Sequence, residues 1–298
     1  MASSIATPGL VFGANKALIA SRKYIAKIRQ FATDFSDEAI QSGATMKIPV
    51  YNGAPASAFN ATNNNYETTD GSVTWVSVTF ANHYKSTFEI TDKDMLDFNA
   101  TSFWTTVGIA QGRAIGLAIE GVVGGLFTTT AVTKTAYIGS TITKKSIASI
   151  RAASATAGAD PARSVMLLSP AIFAEVISLL DANVYGNAQA IQDGLVEGLY
   201  GYKAIMECSS LPSGVIGVVV PEDAVAVASR LIRVGSPKVY EEVGTAVDPD
   251  SGFVLGVRRH GSPAKGTNFG TMEVLFGATL AQASKCLLLT QTQPSQQS

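Results

Sequence analysis

A long polar stretch between two strand-like segments limits how this chain can fold more than any other feature. Residues 52–71 are rich in Asn, Thr, Ala and Gly, and the segments on both sides have the alternation of β-strands. Loops of this length without structure of their own are uncommon in compact domains, where they are usually either functional or disordered. The sequence therefore predicts a functional projection or a disordered insertion at this point.

The composition favours a chain whose surface is covered by other subunits. Hydrophobic residues make up 46% of the 298 residues and charged residues only 15%, against about 25% in ordinary soluble domains. Subunit contacts are the simplest cover for a surface with so few charges. The net charge of −1 means that no global field attracts nucleic acid or an acidic membrane.

The N-terminal region is predicted to form an amphipathic helix over residues 14–35, with flexible ends that make it an arm. Tyr24, Ile28, Phe31 and Phe35 recur there at helical spacing. Residues 1–33 contain no acidic side chain, and their basic residues are Lys16, Arg22, Lys23, Lys27 and Arg29. Two interpretations are open: a solvated helix face, or an arm that meets an acidic partner protein or packaged nucleic acid.

The first residues lack a basic start followed by an apolar core, so no signal peptide is predicted.

Three strands are predicted before the first long helix. They occupy residues 45–51, 72–80 and 83–91. In the third, Tyr84, Ser86, Phe88 and Ile90 are predicted to lie on one face. Pro49 places the first of them at a sheet edge. The short step between the second and the third predicts a hairpin that joins these two.

Residues 103–127 are predicted to form a long helix that packs closely against a sheet or another subunit. One face of it carries glycines four residues apart, Gly108, Gly112 and Gly116. Each glycine costs roughly 1 kcal/mol relative to alanine, which is offset if a neighbouring backbone comes close. This apolar run approaches membrane-spanning length, but Arg113 and Glu120 make insertion costly and favour a buried soluble helix.

Residues 141–233 alternate helices and strands and predict a compact α/β unit. Helices are expected at 143–158, 170–182 and 222–232, and strands at 164–169, 201–212 and 214–221. From residue 239 the pattern returns to strands, and the polar tail after residue 290 is predicted to be disordered.

The sequence brings together no nucleophile, base and orienting group, so we predict no catalytic, cofactor-binding or metal site and no enzyme. His83 and His260 have no companions at metal-ligand spacing and are predicted to lie on the surface. Cys208 and Cys286 are too few for a disulfide scaffold or a structural zinc site, and they fit a reducing compartment. Residues 248–252 favour a turn between two strands over a calcium loop.

The order of elements over the last hundred residues carries a family resemblance. A strand leads to a turn, then to a strand with an arginine, a loop with a glycine, and a strand reading Glu, apolar, apolar, Gly-Ala. These positions are Tyr240, residues 248–252, Val257, Arg258, Gly266 and residues 273–278. This order resembles the closing segment of tailed-phage major capsid proteins with the Hong Kong 97-type fold. Residues 201–212 and 214–230 resemble the strand, strand and helix that precede it in that family.

The resemblance implies an α+β fold with an N-terminal arm, an extended β-hairpin loop, a peripheral domain with a long spine helix, and an α/β axial domain. The expected parts are the arm at 1–43, the loop at 44–91, the spine-helix part of the peripheral domain at 92–139, the axial domain at 140–233, the return strands of the peripheral domain at 234–289, and a flexible tail at 290–298. The polar stretch is then the far end of a hairpin that reaches across a neighbouring subunit.

The resemblance also implies a function. The chain is expected to be a structural major capsid protein that self-assembles as pentamers and hexamers into an icosahedral shell enclosing the phage genome. Its expected location is the virion, after assembly in the host cytoplasm. The expected partners are other copies of the chain, separate scaffolding, portal and decoration proteins, and double-stranded DNA bound without sequence-specific contact, with no membrane and no cofactor. Because the arm begins almost at Met1, we expect either a chain of mature length or a separate scaffold.

Two groups of residues are candidates for contacts between subunits. Phe59 and Tyr66 are the only large apolar groups in the polar stretch and are expected to anchor it on a neighbour. The basic residues of the N-terminal helix form the second group. Two alternative functions stay open: the shell protein of an encapsulin-type nanocompartment, and a cytoplasmic α/β enzyme whose site the sequence does not reveal.

Overall fold

The structure is a computed structural model. It describes residues 8–36, 44–52, 72–91, 93, 100–139, 141–179, 195–232, 240, 242–248, 252–262 and 264–291. The helices are α1 (Pro8–Arg29), α2 (Ala100–Gly124), α3 (Lys144–Thr156) and α4 (Pro170–Ser178). The strands are β1 (Ala32–Asp34), β2 (Thr45–Asn52), β3 (Ser72–Thr79), β4 (Asn82–Thr91), β5 (Thr135–Tyr137), β6 (Ser164–Leu168), β7 (Leu195–Glu197), β8 (Ala204–Glu207), β9 (Gly217–Pro221), β10 (Val225–Arg230), β11 (Glu242–Val247), β12 (Val254–Ser262), β13 (Thr267–Leu280) and β14 (Leu287–Thr290).

The first sheet is organised around the fourteen-residue strand β13. On one side β13 pairs antiparallel with β4, from Thr267 opposite Thr91 to Phe276 opposite Asn82. On its other side the first half of β13 pairs with β12 and the second half with β10. β11 extends the sheet beyond β12, and β1 adds to β10 in parallel. One strand therefore sets the register of all its neighbours.

The second sheet has the order β5-β14-β9-β6-β8-β7. Its central strands β6 and β9 are buried along their whole length. One face, which includes Met166 and Val219, packs against the apolar sides of α3 and α4. The other face, which includes Val165 and Val218, belongs to the same core as α1, α2 and the first sheet. The α1–α2 pair thus joins the two sheets through one continuous core.

The predicted helix at residues 222–232 is wrong, because this segment forms strand β10. Val225 and Val227 face the main core, while Ala226 and Ala228 face a small second cluster on the other side. A short apolar run that is buried on both faces does not reveal its period, and a strand and a helix fit it equally well in sequence. Its neighbours β1 and β13 decide the outcome.

Two strands, β10 and β14, lie in a different sheet from the one that the predicted division of the chain implied. β10, which was expected in the α/β unit, lies in the first sheet. β14, which was expected among the return strands, pairs with β5 and β9 in the second sheet. Sheet membership depends on pairing between residues far apart in the chain, which no local pattern contains.

The predicted hairpin between residues 72–80 and 83–91, which form β3 and β4, is also wrong. β3 pairs with β2 over eight residues, from Thr45 opposite Thr79 to Asn52 opposite Ser72. β4 instead turns away at Ala81 to join β13. The predicted face of β4 is confirmed, because its burial alternates strictly and Tyr84, Ser86, Phe88 and Ile90 point inward.

The N-terminal helix begins and ends earlier than expected and is not a free arm. α1 covers Pro8–Arg29, so Phe31 and Phe35 lie beyond it. Ala17, Leu18 and Ile25 are buried in the main core. The helix therefore belongs to the body of the subunit along its length.

The three glycines of α2 face α1, which confirms the expected close approach, but the predicted partner is wrong: it is a helix of the same chain and not a sheet or another subunit. A Cβ atom at Gly108 would overlap the carbonyl oxygen of Gly13, and one at Gly112 would overlap that of Ala17. A Cβ atom at Gly116 would overlap the ring of Tyr24. Since α1 and α2 run in the same direction, their backbones stay close over several turns.

By length and composition alone the stretch Thr105–Gly124 is able to cross a membrane, and half of it is buried within the subunit.

Replacing Gly112 with alanine is expected to destabilise the subunit although alanine is the better helix former. The added methyl group overlaps backbone rather than a flexible side chain, and overpacking of this kind costs about 1–3 kcal/mol. Gly121→Ala in the same helix is the matched control, because no atom lies within 4 Å of the added carbon. This control is expected to gain up to about 1 kcal/mol. Thermal and urea unfolding of the two variants measure both effects, and a Gly112→Ala variant as stable as the parent would show that α1 and α2 are not in close contact.

Candidate assembly surfaces

The β2–β3 hairpin carries a row of exposed apolar side chains on one face. Tyr51 is 74% exposed, Trp75 is 63% exposed and Val73 is 45% exposed. Tyr51 lies directly opposite Val73, and Pro49 lies directly opposite Trp75. Residues opposite each other in an antiparallel pair share a face, so these four side chains form one surface. We call it the hairpin stripe.

The root of the hairpin is held firmly by the first sheet. Val78, Ile48 and Phe80 are buried against the small residues of β10. Gly277 on β13 has no side chain where the carbonyl of Thr79 passes, and a Cβ atom there would lie 2.7 Å from that oxygen. The guanidinium of Arg230 lies 5.3 Å from the centre of the Phe80 ring. These contacts fix the direction in which the hairpin leaves the subunit.

The hairpin residues that the sequence predicted to contact a neighbouring subunit are not those of the hairpin stripe. Phe59 and Tyr66 lie outside the described residues. Tyr51 and Trp75 were missed, because the apolar residues of residues 72–80, among them Trp75 and Val78, were not divided between the two faces of the strand. Val78 is one of the fully buried residues, whereas Trp75 lies on the opposite face of the strand. The odd spacing between these two residues was the signal that would have separated the faces.

A second exposed apolar surface lies on the edge strand β11. Val243 and Val247 are exposed, while Ala246 between them is buried on the other face, toward α1. β11 forms the end of the first sheet in the described part of the chain. An edge strand of this kind leaves backbone groups open for pairing. We call Val243 and Val247 the edge patch.

The residues of the family resemblance meet at one buried ion pair. The carboxylate of Glu273 on β13 pairs with the guanidinium of Arg258 on β12. Arg258 also donates a hydrogen bond to the hydroxyl of Tyr240 at 3.1 Å and lies 5.1 Å from the centre of its ring. The second carboxylate oxygen of Glu273 lies 3.1 Å from Nε2 of His83 on β4. Three neighbouring strands are therefore tied together at one point, which gives these residues a structural role.

The basic residues of α1 serve different purposes. Arg22 pairs with the buried carboxylate of Asp248 at 2.5 Å, in the turn after β11. Lys27 lies beside Glu120 of α2. Burial raises the pKa of the Glu120 carboxyl, and the positive charge of Lys27 offsets part of that rise. Lys16 is half-buried, and Lys23 and Arg29 are exposed.

A polar cluster connects the end of α1 to the second sheet. The ammonium of Lys203 donates a hydrogen bond to the carbonyl of Gln30 at 2.9 Å and pairs with Glu222. Arg163 lies 3.2 Å from the second oxygen of Glu222. The hydrogen bond from Lys203 is the main reason why the pKa of Glu222 lies below its ordinary value. This cluster fixes the end of α1 against the second sheet.

The described residues offer little for catalysis. Burial raises the pKa of the Cys208 thiol to about 11 and that of Cys286 to about 12, so neither forms the nucleophilic thiolate near neutral pH. His260 is stacked on Phe269 with ring centres 5.0 Å apart. Among the described residues, no group of three or more His, Cys, Asp or Glu side chains is placed to hold a metal ion.

Comparison with known proteins gives one family and a shared fold. A family model described as phage capsid protein matches residues 75–265. No curated protein matches the sequence. Among solved structures, one from Gordonia phage Cozz matches with a TM-score of 0.56 and 13% identity, covering 91% of this chain and 87% of that one.

Two further structures match over similar lengths. The capsid structure of the cyanophage P-SCSP1u has a TM-score of 0.53 and 12% identity, covering 87% of this chain and 86% of that one. The virus-like particle from Pyrococcus furiosus has a TM-score of 0.56 and 10% identity, covering 93% of this chain and 97% of that one. Identities this low show a common fold.

Replacing Arg22 with glutamine is expected to destabilise the subunit, whereas the same change at its neighbour Lys23 is not. Asp248 is buried and loses a charged hydrogen-bond donor in the first variant, which costs about 1.5–3 kcal/mol. Lys23 is exposed, so the second variant is expected to stay within about 0.5 kcal/mol of the parent. Urea unfolding of both variants compares them directly. Equal stabilities would mean that Arg22 acts outside the subunit, as the sequence suggested.

Proposed function

The chain belongs to the phage capsid protein family and has the Hong Kong 97-type capsid fold, and on that premise we propose that copies of it assemble through pentamers and hexamers into a closed icosahedral shell around double-stranded DNA. The chain is a structural shell protein of the phage capsid. The ring sizes, the closed shell and the enclosed genome are the proposed steps.

The observation that carries this proposal is the hairpin stripe. Clustered, exposed aromatic side chains are typical of surfaces that bind another protein. The root of the same hairpin is buried and fixed, so the stripe is presented in one direction instead of folding back onto its own subunit. A rigid projection with an apolar face needs a second chain to cover it. In a shell protein that second chain is another copy.

The edge patch is the surface that we propose receives the hairpin of the neighbouring subunit. It lies on the face of the first sheet away from α1, where Val243 and Val247 are exposed. A contact between two different surfaces of identical chains is head-to-tail. Such contacts close into rings when the rotation between neighbours allows it, which suits both five and six copies.

The remaining parts of the chain are assigned by the same proposal. Residues 1–43, 44–91 and 92–139 keep their roles as arm, extended loop and spine-helix region, with α1 docked on α2. The second sheet, with α3 and α4, is the axial domain that meets its copies around the symmetry axes, and it includes β14 but not β10. Phe59 and Tyr66 remain proposed anchors of the hairpin tip, on the basis of sequence.

The family resemblance supports further partners. We propose that separate scaffolding, portal and decoration proteins act on the shell, and that it is assembled in the host cytoplasm before it becomes part of the virion. The matching family is a capsid family, so no catalytic role is proposed.

The purified protein is expected to form closed particles. Because each contact between neighbours is modest, the shell gains its stability from many contacts at once. Negative-stain electron microscopy of concentrated protein at several salt concentrations tests this directly. Particles with five-fold and six-fold rings are the expected result. A protein that stays monomeric or dimeric under all these conditions would overturn the proposal.

Replacing both Tyr51 and Trp75 with threonine is expected to block shell formation while leaving the subunit folded. Threonine keeps the strand propensity, and both side chains are exposed, so the free energy of unfolding should change little. The control is Ser77→Thr on the same face of β3, which leaves the stripe intact. A second variant deletes residues 54–69 and closes the hairpin with a short turn, which removes the proposed anchors at the tip.

Particle yield by sedimentation and thermal unfolding are measured for all three variants. The control is expected to form shells as the parent does, and the other two are expected to remain soluble and folded without forming them. Normal, stable shells from the threonine double variant would show that the stripe is an ordinary surface.

A further inference from the structure

The charges of this chain are divided very unevenly between its parts. Helices α1 and α2 together contain six basic side chains and one carboxylate, that of Glu120, and so carry a net charge of +5. The whole chain has a net charge of −1, so everything outside these two helices carries −6. A nearly neutral protein therefore presents one strongly basic part.

The basic side chains are arranged along the paired helices. Lys16, Lys23 and Lys27 are spaced by seven and four residues, which places them on one side of α1. Arg29 is exposed at the end of that helix. Arg113 is exposed on the neighbouring helix α2. Arg29 follows Arg22 by seven residues and therefore lies on the side of α1 that faces Asp248. We call Lys16, Lys23, Lys27 and Arg113 the basic face.

The lone carboxylate on these helices does not cancel the basic face. Glu120 is partly buried, and burial disfavours its charged form. Arg22 points to Asp248, on another side of α1 from the lysines, so neither Arg22 nor Arg29 is counted in the face. On the sheet side of the subunit, by contrast, Arg258 and Glu273 neutralise each other locally.

We propose that the basic face binds the phosphate backbone of the DNA inside the shell, which makes the α1–α2 side the inner surface of the subunit; this rests on the proposed function. From Lys16 to Lys27 the helix spans about 17 Å at 1.5 Å per residue. Double-stranded DNA carries one negative charge per about 1.7 Å of its axis, so several phosphates come within reach. Lysine is a point charge on a flexible stem, which suits contacts to phosphate without reading the base sequence.

The geometry favours DNA over an acidic protein partner. A groove for an amphipathic helix needs a continuous apolar floor. At Gly108 and Gly112 the backbones of the two helices are already in contact, so no apolar floor is open along that part of the described pair. The many copies in a shell multiply a weak contact per subunit into firm binding of the genome.

The test compares two triple variants, each of which removes three positive charges. The first is Lys16→Gln, Lys23→Gln and Arg113→Gln on the basic face. The second, as control, is Lys144→Gln, Lys145→Gln and Lys265→Gln, all exposed and elsewhere on the subunit. Binding to a short double-stranded DNA of mixed sequence is measured with each purified protein over a range of salt concentrations. Thermal unfolding confirms that both variants are folded.

The basic-face variant is expected to bind at least about tenfold more weakly at low salt. The slope of its binding constant against salt concentration should fall by about 0.9 for each phosphate that the protein no longer neutralises. The control is expected to keep the slope of the parent protein. Equal slopes for the two variants would overturn the proposal. So would a basic-face variant that binds DNA normally but fails only when other virion proteins are present, because the face would then bind a protein.

The same samples separate this inference from the proposed function. Their oligomeric state is measured by sedimentation alongside DNA binding. A parent protein that binds DNA through the basic face without forming shells refutes the shell proposal alone. Shells that form normally, with a salt slope unaffected by the basic-face substitutions, refute the DNA contact alone.

Discussion

The close contact between the backbones of α1 and α2 is the constraint on which the rest of the structure depends. It is possible only because Gly108 and Gly112 leave room for the carbonyl groups of the facing helix. With the helices this close, the end of α1 reaches the second sheet, where Lys203 binds the carbonyl of Gln30. Earlier on the same helix, Arg22 reaches Asp248 in the turn after β11, at the end of the first sheet. The helix pair therefore sets the relation between the two sheets, and a wider spacing would break contacts on both sides.

β13 transmits that arrangement to the hairpin. It pairs with β4 along ten residues, and the Glu273–Arg258 ion pair, with His83 beside it, locks three strands in register. The chain enters β4 directly from the hairpin root, which is itself packed on β10. The first sheet therefore holds the β2–β3 hairpin in a fixed direction. In our proposal this rigidity is what allows one apolar stripe to find the same site on each neighbour, with the basic side of the subunit left for the contents of the shell.

Much of the local structure could be predicted from the sequence, because short-range periodicity was sufficient for it. The strict alternation in β4 predicted its inward face, and the amphipathic pattern of residues 143–158 predicted α3. The glycine spacing of α2 predicted a close approach but not its partner, because the same pattern suits a sheet, another subunit or a helix of the same chain. β10 was misread because burial on both faces hides the period of a strand.

The sequence by itself determined the family, the long helix α2 and the presence of a long hairpin, since these depend on patterns along the chain. Only the tertiary structure decided which residues act where. Among the basic residues of α1, Arg22 turns inward to Asp248 while Lys23 stays exposed, although the two are adjacent in sequence. Trp75 faces outward because Val78, three residues on, is buried against β10. These outcomes depend on contacts between residues that are distant along the chain, and a linear pattern carries no record of which distant residue will be the neighbour.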